Sequence, residues 1–306
     1  MDTAEHRAQV RAFLISRRER ITPERAGLPA YGGNRRVKGL RREEVALLAG
    51  VSIDYYVRME RGNLAGASDA VLDGVATALQ LDEAEREHLF ALARAAGPST
   101  RRRRRPARTS VRPVIRQILD AISDAPAWVR NARHDILAMN PLARALYSPV
   151  LDSPVAGATT KRPANTTRFV YLDPAARDFF VDYDRIAQDA AAMLRLEAGR
   201  NPHDNDLVTL IGELSTRSEL FRLHWAAQNV TFHRSGRKRL HHPAVGELDL
   251  NFESMQLPSE PEQYLNVYTA DPNTPTADGL KLLATWAATT GYAEPAIADE
   301  PGARRT

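Results

Sequence analysis

The chain has 306 residues, of which 43% are apolar and none is cysteine. This size and apolar content suffice for two packed domains and exclude global disorder. The absence of cysteine excludes disulfides, zinc–thiolate sites and cysteine nucleophiles. The net charge of +4 is unevenly divided, since residues 1–110 carry +7 and the remaining 196 residues carry −3. The basic N-terminal part is therefore the part expected to bind a polyanion.

Neither a membrane span nor a signal peptide is predicted. No uninterrupted apolar run reaches the length of about 18 residues that a bilayer-crossing helix needs. The N-terminal sequence MDTAEHRAQVRAFL has charges on both sides of its short apolar run and lacks a small-residue cleavage site. We therefore expect a cytoplasmic protein that makes no membrane contact.

Residues 1–97 are predicted to form an all-α domain. Apolar residues at helical spacing indicate a helix over 4–20, and a glycine-rich basic loop follows it. The next predicted helices are Arg41–Ala49 and Ile53–Arg61. Ser68 is the predicted N-cap of a further helix, and Asp82 begins a last helix that Gly97 and Pro98 end.

Residues 98–113, PSTRRRRRPARTSVRP, are predicted to be a linker between two domains. Five consecutive arginines, Arg101–Arg105, repel one another and do not fit a packed core. They are equally compatible with contacts to DNA phosphates and with a solvated linker.

Residues 114–292 change to mixed helix and strand, which predicts an α/β domain. The predicted order is a helix at Val114–Ile122, short strands at Ala127–Arg130 and Ile136–Met139, a helix after Asn140, an exposed loop over 148–166, three helices within 174–226, a hairpin of Asn229–His233 with Lys238–His241 around Ser235-Gly236, strands at Glu247–Asn251 and Tyr264–Tyr268, and a final helix at Ala277–Ala288.

The strongest functional signal is residues 42–61, REEVALLAGVSIDYYVRMER, which predict a helix-turn-helix. Two short helices that cross around a tight turn need a small residue where they touch, here Ala46. The turn needs a residue that tolerates positive φ, here Gly50. Ser52 is then placed to cap the second helix, whose N-terminal turn would enter the major groove.

Helical phase assigns the DNA-contacting side chains of this motif. Tyr56 and Met59 face inward, so the outward residues are Ser52, Ile53, Asp54, Tyr55 and Arg58. We expect Arg58 to bind guanine, Asp54 to accept a hydrogen bond from cytosine and Ile53 to touch a thymine methyl. The residues expected to bind phosphates, which set position rather than sequence preference, are Arg35, Arg36, Lys38 and Arg42.

The second domain offers candidates for a mostly apolar ligand pocket. Its candidate wall residues are Trp128, Phe169, Phe221, Trp225 and Phe232. For each of these aromatic residues taken singly, an ordinary core position is the better supported alternative. Asn140 either bonds a ligand or only caps the helix that follows, and capping is the better supported of the two.

No enzymatic or metal chemistry is predicted. His241 and His242 are adjacent, so on a strand they point to opposite faces and do not easily hold one ion. The sequence has no G-x-S-x-G, phosphate-loop or dinucleotide-binding motif. We therefore expect no catalytic residues, no metal and no cofactor.

Several sequence strings together resemble a known family. LRREEVALLAGVS, DYYVRMERG and LDGVATALQLDEAEREHLF resemble the Xre/Cro type of helix-turn-helix and, more narrowly, the MmyB-like regulators. PAWVRNARHDILAMNPLARAL, the segments 165–169 and 171–174, SELFRLHWA and HHPAVGELDLNFE resemble that family's ligand-binding domain. The resemblance implies a PAS-like α/β sensor domain with a fatty-acid-like ligand. The loop LDSPVAGATTKRPA matches none of these strings.

The sequence therefore predicts a DNA-binding transcription regulator whose second domain binds a small apolar or amphipathic molecule. We expect a homodimer, because a single recognition helix makes few base contacts. One alternative is that the second domain serves only dimerisation or contacts with another protein. Another is an enzyme that carries a DNA-binding domain, for which the sequence offers no motif.

Overall fold

The computed structural model describes residues 3–28, 37, 39–97 and 110–290. Contacts divide the chain into two compact units. The first unit contains the residues up to 106 together with 187–233, and the second contains 107–186 together with the residues from 234 onward. Most of the predicted linker, residues 98–109, lies outside the described residues. Within the described ranges, no helix has the length and apolarity needed to cross a bilayer.

The described part of residues 3–97 folds into five helices at the predicted positions. Ser52, Ser68 and Asp82 cap three of them by accepting hydrogen bonds from backbone N–H groups. Their apolar sides share one core, which includes Phe13, Leu14, Val45, Tyr56, Met59, Leu72 and Leu89. The helices are α1 (Thr3–Arg20), α2 (Arg42–Ala49), α3 (Ile53–Glu60), α4 (Asp69–Ala78) and α5 (Glu83–Ala96).

Residues 187–233 pack in the first unit, although the predicted boundaries place them in the second domain. Leu196 and Val230 are buried in the same core as the five N-terminal helices, and Phe232 packs against that core. By contacts the segment therefore groups with the N-terminal helices, whereas by chain order it lies within the predicted second domain. The helices between the first five and the end of this segment are α6 (Pro113–Ala121), α7 (Pro141–Leu146), α8 (Ser148–Leu151), α9 (Thr166–Leu172), α10 (Ala175–Phe179), α11 (Tyr183–Arg200), α12 (Asn205–Arg217) and α13 (Glu219–Ala226).

Two predictions about this middle region need correction. The exposed loop predicted over 148–166 begins with the short helix α8, and Ala156 and Ala164 within it are buried. Ser153 fixes part of it by donating a hydrogen bond of 2.5 Å from Oγ to Oδ2 of Asp173. The stretch 174–226 contains four helices rather than three, because the five residues that directly follow Pro174 form the additional short helix α10.

A five-stranded antiparallel sheet is the centre of the second unit. The strand order is β2-β1-β5-β4-β3, and the final helix, α14 (Pro275–Thr290), contacts β4. The strands predicted near 127 and 136 are confirmed, and the later strands are longer than predicted. Their bounds are β1 (Ala127–Asn131), β2 (Ile136–Met139), β3 (Ser235–His242), β4 (Gly246–Leu257) and β5 (Glu260–Thr269).

The hairpin predicted around Ser235-Gly236 is wrong. Both of these residues lie inside β3, and residues 229–233 form no strand. β3 pairs instead with β4, from Ser235 opposite Glu253 to His242 opposite Gly246. Pro243 cannot continue the hydrogen-bond ladder, and Gly246 has a φ of +75°, so the chain reverses between them.

The two faces of the sheet differ in chemistry. One face packs Val129 and Leu265 against Ile115 and Leu119 of α6 in an apolar cluster. The other face, here called the aromatic face, mixes aromatic rings with polar groups. Pairing of residues directly opposite one another in adjacent strands places on it Trp128, Phe252, Ser254, Asn266 and Tyr268, with the buried Lys238 and Leu250 beside them.

Candidate nucleic-acid interface and ligand site

The turn between α2 and α3 has the geometry predicted for a helix-turn-helix. Gly50 adopts the left-handed conformation, with φ +66° and ψ +31°, and Val51 donates a backbone hydrogen bond to Ala46. Ala46 is buried where the helices meet. Ser52 Oγ accepts a hydrogen bond of 3.2 Å from the Tyr55 N–H. These contacts fix the start of α3 relative to α2.

The outward side of α3 also follows the predicted helical phase. Ile53 is 52% exposed, and Asp54 and Arg58 are exposed as well. Tyr55 is half-buried, and the guanidinium of Arg58 lies 4.5 Å from its ring centroid. This stacking orders the arginine along the exposed surface of α3. The inward residues, Tyr56 and Met59, are fully buried.

Glu60 is a buried carboxylate that the sequence analysis did not identify. It is 1% exposed, and its Oε1 accepts from Arg18 Nε at 2.6 Å. Its other oxygen accepts from Arg42 Nε, although Arg42 keeps about half of its side chain exposed. Arg42, predicted to bind phosphate, is thus tethered at the start of α2 with part of its guanidinium free of the core. The other predicted phosphate-binding residues, Arg35, Arg36 and Lys38, lie outside the described residues.

A continuous aromatic cluster covers the aromatic face of the second unit. The ring of Trp128 lies 5.1 Å from that of Tyr147, which lies 6.1 Å from Phe179. Phe179 in turn contacts Phe169 at 5.9 Å and Phe180 at 4.9 Å. Trp128 is 3% exposed and Phe169 has no exposed surface. Only Trp128 and Phe169 of this cluster were predicted, because helix and strand assignments do not reveal which aromatic residues meet.

Comparison with protein families finds a match in each of the two predicted domains. Residues 111–283 match the model of the MmyB-like transcription regulator ligand binding domain, and residues 9–89 match a helix-turn-helix domain. The first match spans more than half of the chain. This chain belongs to the MmyB-like transcription regulators. It is therefore a DNA-binding transcription regulator with a ligand-binding domain. No curated protein matches it.

The six predicted ligand-site residues of this MmyB-like regulator divide between the two units. Trp128, Asn140 and Phe169 lie in the second unit. The first unit contains the other three, Phe221, Trp225 and Phe232. A role in ligand binding stays a prediction for each of them.

Asn140 is a helix cap, as the preferred interpretation held. Its Oδ1 accepts from the backbone N–H groups of Ala127 and Ala143, at 3.1 and 2.8 Å. Its Nδ2 donates to the carbonyls of Ile122 and Ala125, both at 2.7 Å. All of its hydrogen-bonding capacity is used within the protein. Asn140 therefore positions α7 against β1 and has no free donor for a ligand in this state.

The three aromatic residues of the first unit have local partners. Phe221 is fully buried and stacks on Trp225 with ring centroids 5.5 Å apart. The guanidinium of Arg195 lies 3.9 Å from the Trp225 ring and donates to the Trp225 carbonyl. Phe232 packs against the apolar core. This arginine caps the C-terminal end of α13, where a positive charge is favourable.

Metal ligation has no geometric support in the part of the chain that the structure describes. No group of three or more His, Asp or Glu side chains there is close enough to hold an ion. His241 is exposed while His242 is buried, as expected for neighbours on a strand. His242 Nε2 lies 3.1 Å from the Ala145 carbonyl, and burial lowers the pKa of this imidazole.

Proposed function

We propose that this regulator is a homodimer that binds a specific DNA sequence through α3 and whose PAS-like second domain senses an apolar or amphipathic, fatty-acid-like molecule. The observation that carries the DNA part is the exposed side of α3. Ile53, Asp54 and Arg58 project from a helix that Gly50 and Ser52 fix in place. An apolar group, an acceptor and a bidentate donor together can discriminate base pairs in the major groove.

Physical arguments support two further features of the proposal, the homodimer and the cytoplasmic location. The Xre/Cro assignment and a homodimer both suit a single short recognition helix per chain, because two-fold pairing doubles the number of base contacts. A regulator of chromosomal DNA acts where that DNA is, which supports the cytoplasmic location expected from the sequence.

Arg58→Ala is expected to weaken binding to the preferred site by about 1–3 kcal/mol and to relax the preference at one base pair. The loss arises because alanine cannot make the two hydrogen bonds that arginine donates to guanine. The preferred site is first selected from random duplexes by the full chain. Binding of the variant is then measured on that site, on its single-base variants and on a random duplex.

Arg42→Gln is the matched comparison, because glutamine can still donate to Glu60 while the charge is removed. It should weaken the selected site and the random duplex alike and reduce the slope of log K against log salt by about one. Equal losses for Arg58→Ala on selected and random DNA would remove the base-contacting role from Arg58.

The proposed sensor site is the aromatic face around Trp128 and Phe169. Its rings contact one another and leave almost no exposed surface. A ligand reaches them only when the rings separate, and an apolar chain replaces ring–ring contacts at little cost in free energy. The five-stranded antiparallel sheet, with helices inserted after its second strand, supports the PAS-like assignment.

Adding decanoate or 1-decanol to the full chain is expected to raise its melting temperature with ligand concentration and to quench tryptophan fluorescence. The rise follows because a ligand that binds only the folded state stabilises it by mass action. Three variants, each keeping one tryptophan at position 128, 225 or 286, show which residue gives the signal. We expect quenching in the variant that keeps only Trp128. A broad panel of apolar ligands that moves neither quantity would favour a second domain used only for dimerisation.

A further inference from the structure

The amine of Lys238 is buried on the aromatic face without a carboxylate partner. Lys238 lies on β3 opposite Leu250 and is 9% exposed. Its Nζ donates to the Tyr268 hydroxyl at 3.4 Å and lies 5.3 Å from the ring centroid of Phe252. No Asp or Glu among the described residues forms an ion pair with it. A buried ammonium is costly unless an anion compensates it.

Other buried polar groups on the aromatic face have hydrogen-bonding capacity that the protein leaves unused. The hydroxyls of Tyr147 and Tyr268 lie 2.7 Å apart, and burial raises the pKa of Tyr147 well above its usual value, so the Tyr147 hydroxyl keeps its proton. Trp128 Nε1 and Ser254 Oγ are buried and have no hydrogen-bond partner in the described structure. Asn266 lies between these two residues on the neighbouring strand. Buried polar atoms without partners are rare in native proteins.

Arg130 and His134 are two further ionisable groups, and His134 lies within electrostatic range of both Arg130 and this lysine. Arg130, a second buried cation, lies with its guanidinium 4.4 Å from the Tyr264 ring. Burial, followed by the charges of Arg130 and Lys238, holds the pKa of the buried His134 well below its usual value. This imidazole is therefore neutral and adds no charge of its own. A group that enters this region finds cations and hydroxyl donors.

We infer that Lys238, with the hydroxyls of Tyr147 and Tyr268, binds the anionic headgroup of the ligand. The inference rests on the proposed sensor function and specifies its ligand class as a single-headed anion with an apolar chain. A carboxylate at this point accepts a hydrogen bond from the hydroxyl pair. It also pairs with the ammonium in a charge-assisted hydrogen bond. The ring of Trp128, which contacts Tyr147, and the ring of Phe169, which is linked to Tyr147 through Phe179, provide the apolar surface for the chain.

The test compares decanoate with 1-decanol, which has the same chain and no charge. Lys238→Met keeps the apolar stem and removes the ammonium. We expect it to weaken decanoate binding about 30-fold or more, because the carboxylate is then buried without a partner, and to change 1-decanol binding less than about 3-fold. Lys238→Arg should retain the preference for decanoate. Lys281→Met, at an exposed lysine of α14 in the same unit, should change neither affinity.

The unliganded Lys238→Met protein is expected to melt at or above the wild-type temperature, because an uncompensated charge has been removed. If it does not fold, Tyr268→Phe serves instead and should weaken decanoate about 5-fold through the loss of one hydroxyl. Equal losses for the acid and the alcohol, or no loss for either, would overturn the headgroup site and leave the sensor function standing. If the wild type binds 1-decanol and not decanoate, the headgroup site is likewise overturned and the sensor function stands. If the wild type binds neither, both proposals are overturned.

Discussion

Replacing Glu60 with leucine is expected to lower the free energy of unfolding by about 3–5 kcal/mol. Glu60 is 1% exposed and accepts from Arg18 Nε at 2.6 Å and from Arg42. Removal of the carboxylate leaves the buried guanidinium of Arg18 without its counterion, although its hydrogen bond to the Leu40 carbonyl remains. The measurement is urea-induced unfolding of the full chain, followed by far-ultraviolet circular dichroism.

Glu43→Ala is the matched control on the neighbouring helix, because this carboxylate is 58% exposed and pairs only with the exposed Arg41. It should change the free energy of unfolding by less than about 0.5 kcal/mol. The double variant Glu60→Leu with Arg18→Met should regain part of the loss, since it removes the stranded cation too. A loss of less than about 1 kcal/mol for Glu60→Leu would contradict the buried ion pair.

The second large effect expected is a fall in stability as the pH drops below about 6.5, caused in good part by His88. Burial, and then the charges of Arg195, Arg17 and Arg200, lowers the pKa of His88 to about 3 in the folded protein. The unfolded chain has the ordinary value near 6.5, so it binds the proton more tightly. The contribution of His88 is complete above pH 6.5 and falls by roughly 2 kcal/mol by pH 5.

His88→Leu should therefore flatten the dependence of the melting temperature on pH between 7.5 and 5. The side chain packs against Phe13 with ring centroids 5.0 Å apart, and its Nδ1 has no hydrogen-bond partner among the described residues, so leucine removes no such bond. His241→Gln, at an exposed position of β3, should leave the wild-type pH profile unchanged. Identical profiles for His88→Leu and the wild type would show that this imidazole does not contribute.

Local sequence signals predicted the helix-turn-helix well. Its signals all lie within about 20 residues. Gly50 permits the turn, Ser52 caps α3, and the helical spacing sets which side of α3 faces inward. Asn140 was recognisable as a cap for the same reason, because a cap bonds the first turn of its own helix. The strands near 127 and 136 were likewise confirmed, since their apolar residues are flanked by turn signals.

The sequence did not predict β3 correctly, because the partner of a strand is chosen by contacts elsewhere in the sheet. Ser235-Gly236 resembles a turn in isolation, but β4 is a long strand with apolar residues at alternate positions, and it pairs with both residues. Residues 187–233 joined the first unit for a similar reason. Leu196 and Val230 are buried in the core formed by α1 to α5, and position along the chain does not reveal such a distant contact.

The sequence by itself determined the two-part organisation, the helix-turn-helix and the outward phase of Arg58, because these depend on residue type and spacing over short distances. Only the tertiary structure decided that Glu60 meets Arg18, 42 residues away. The same holds for Lys238, which lies among aromatic rings and has no carboxylate partner among the described residues. A charged residue in a sequence is expected at the surface. Whether it is instead buried, and what compensates it, depends on which distant elements pack around it, and spacing along the chain carries no record of that.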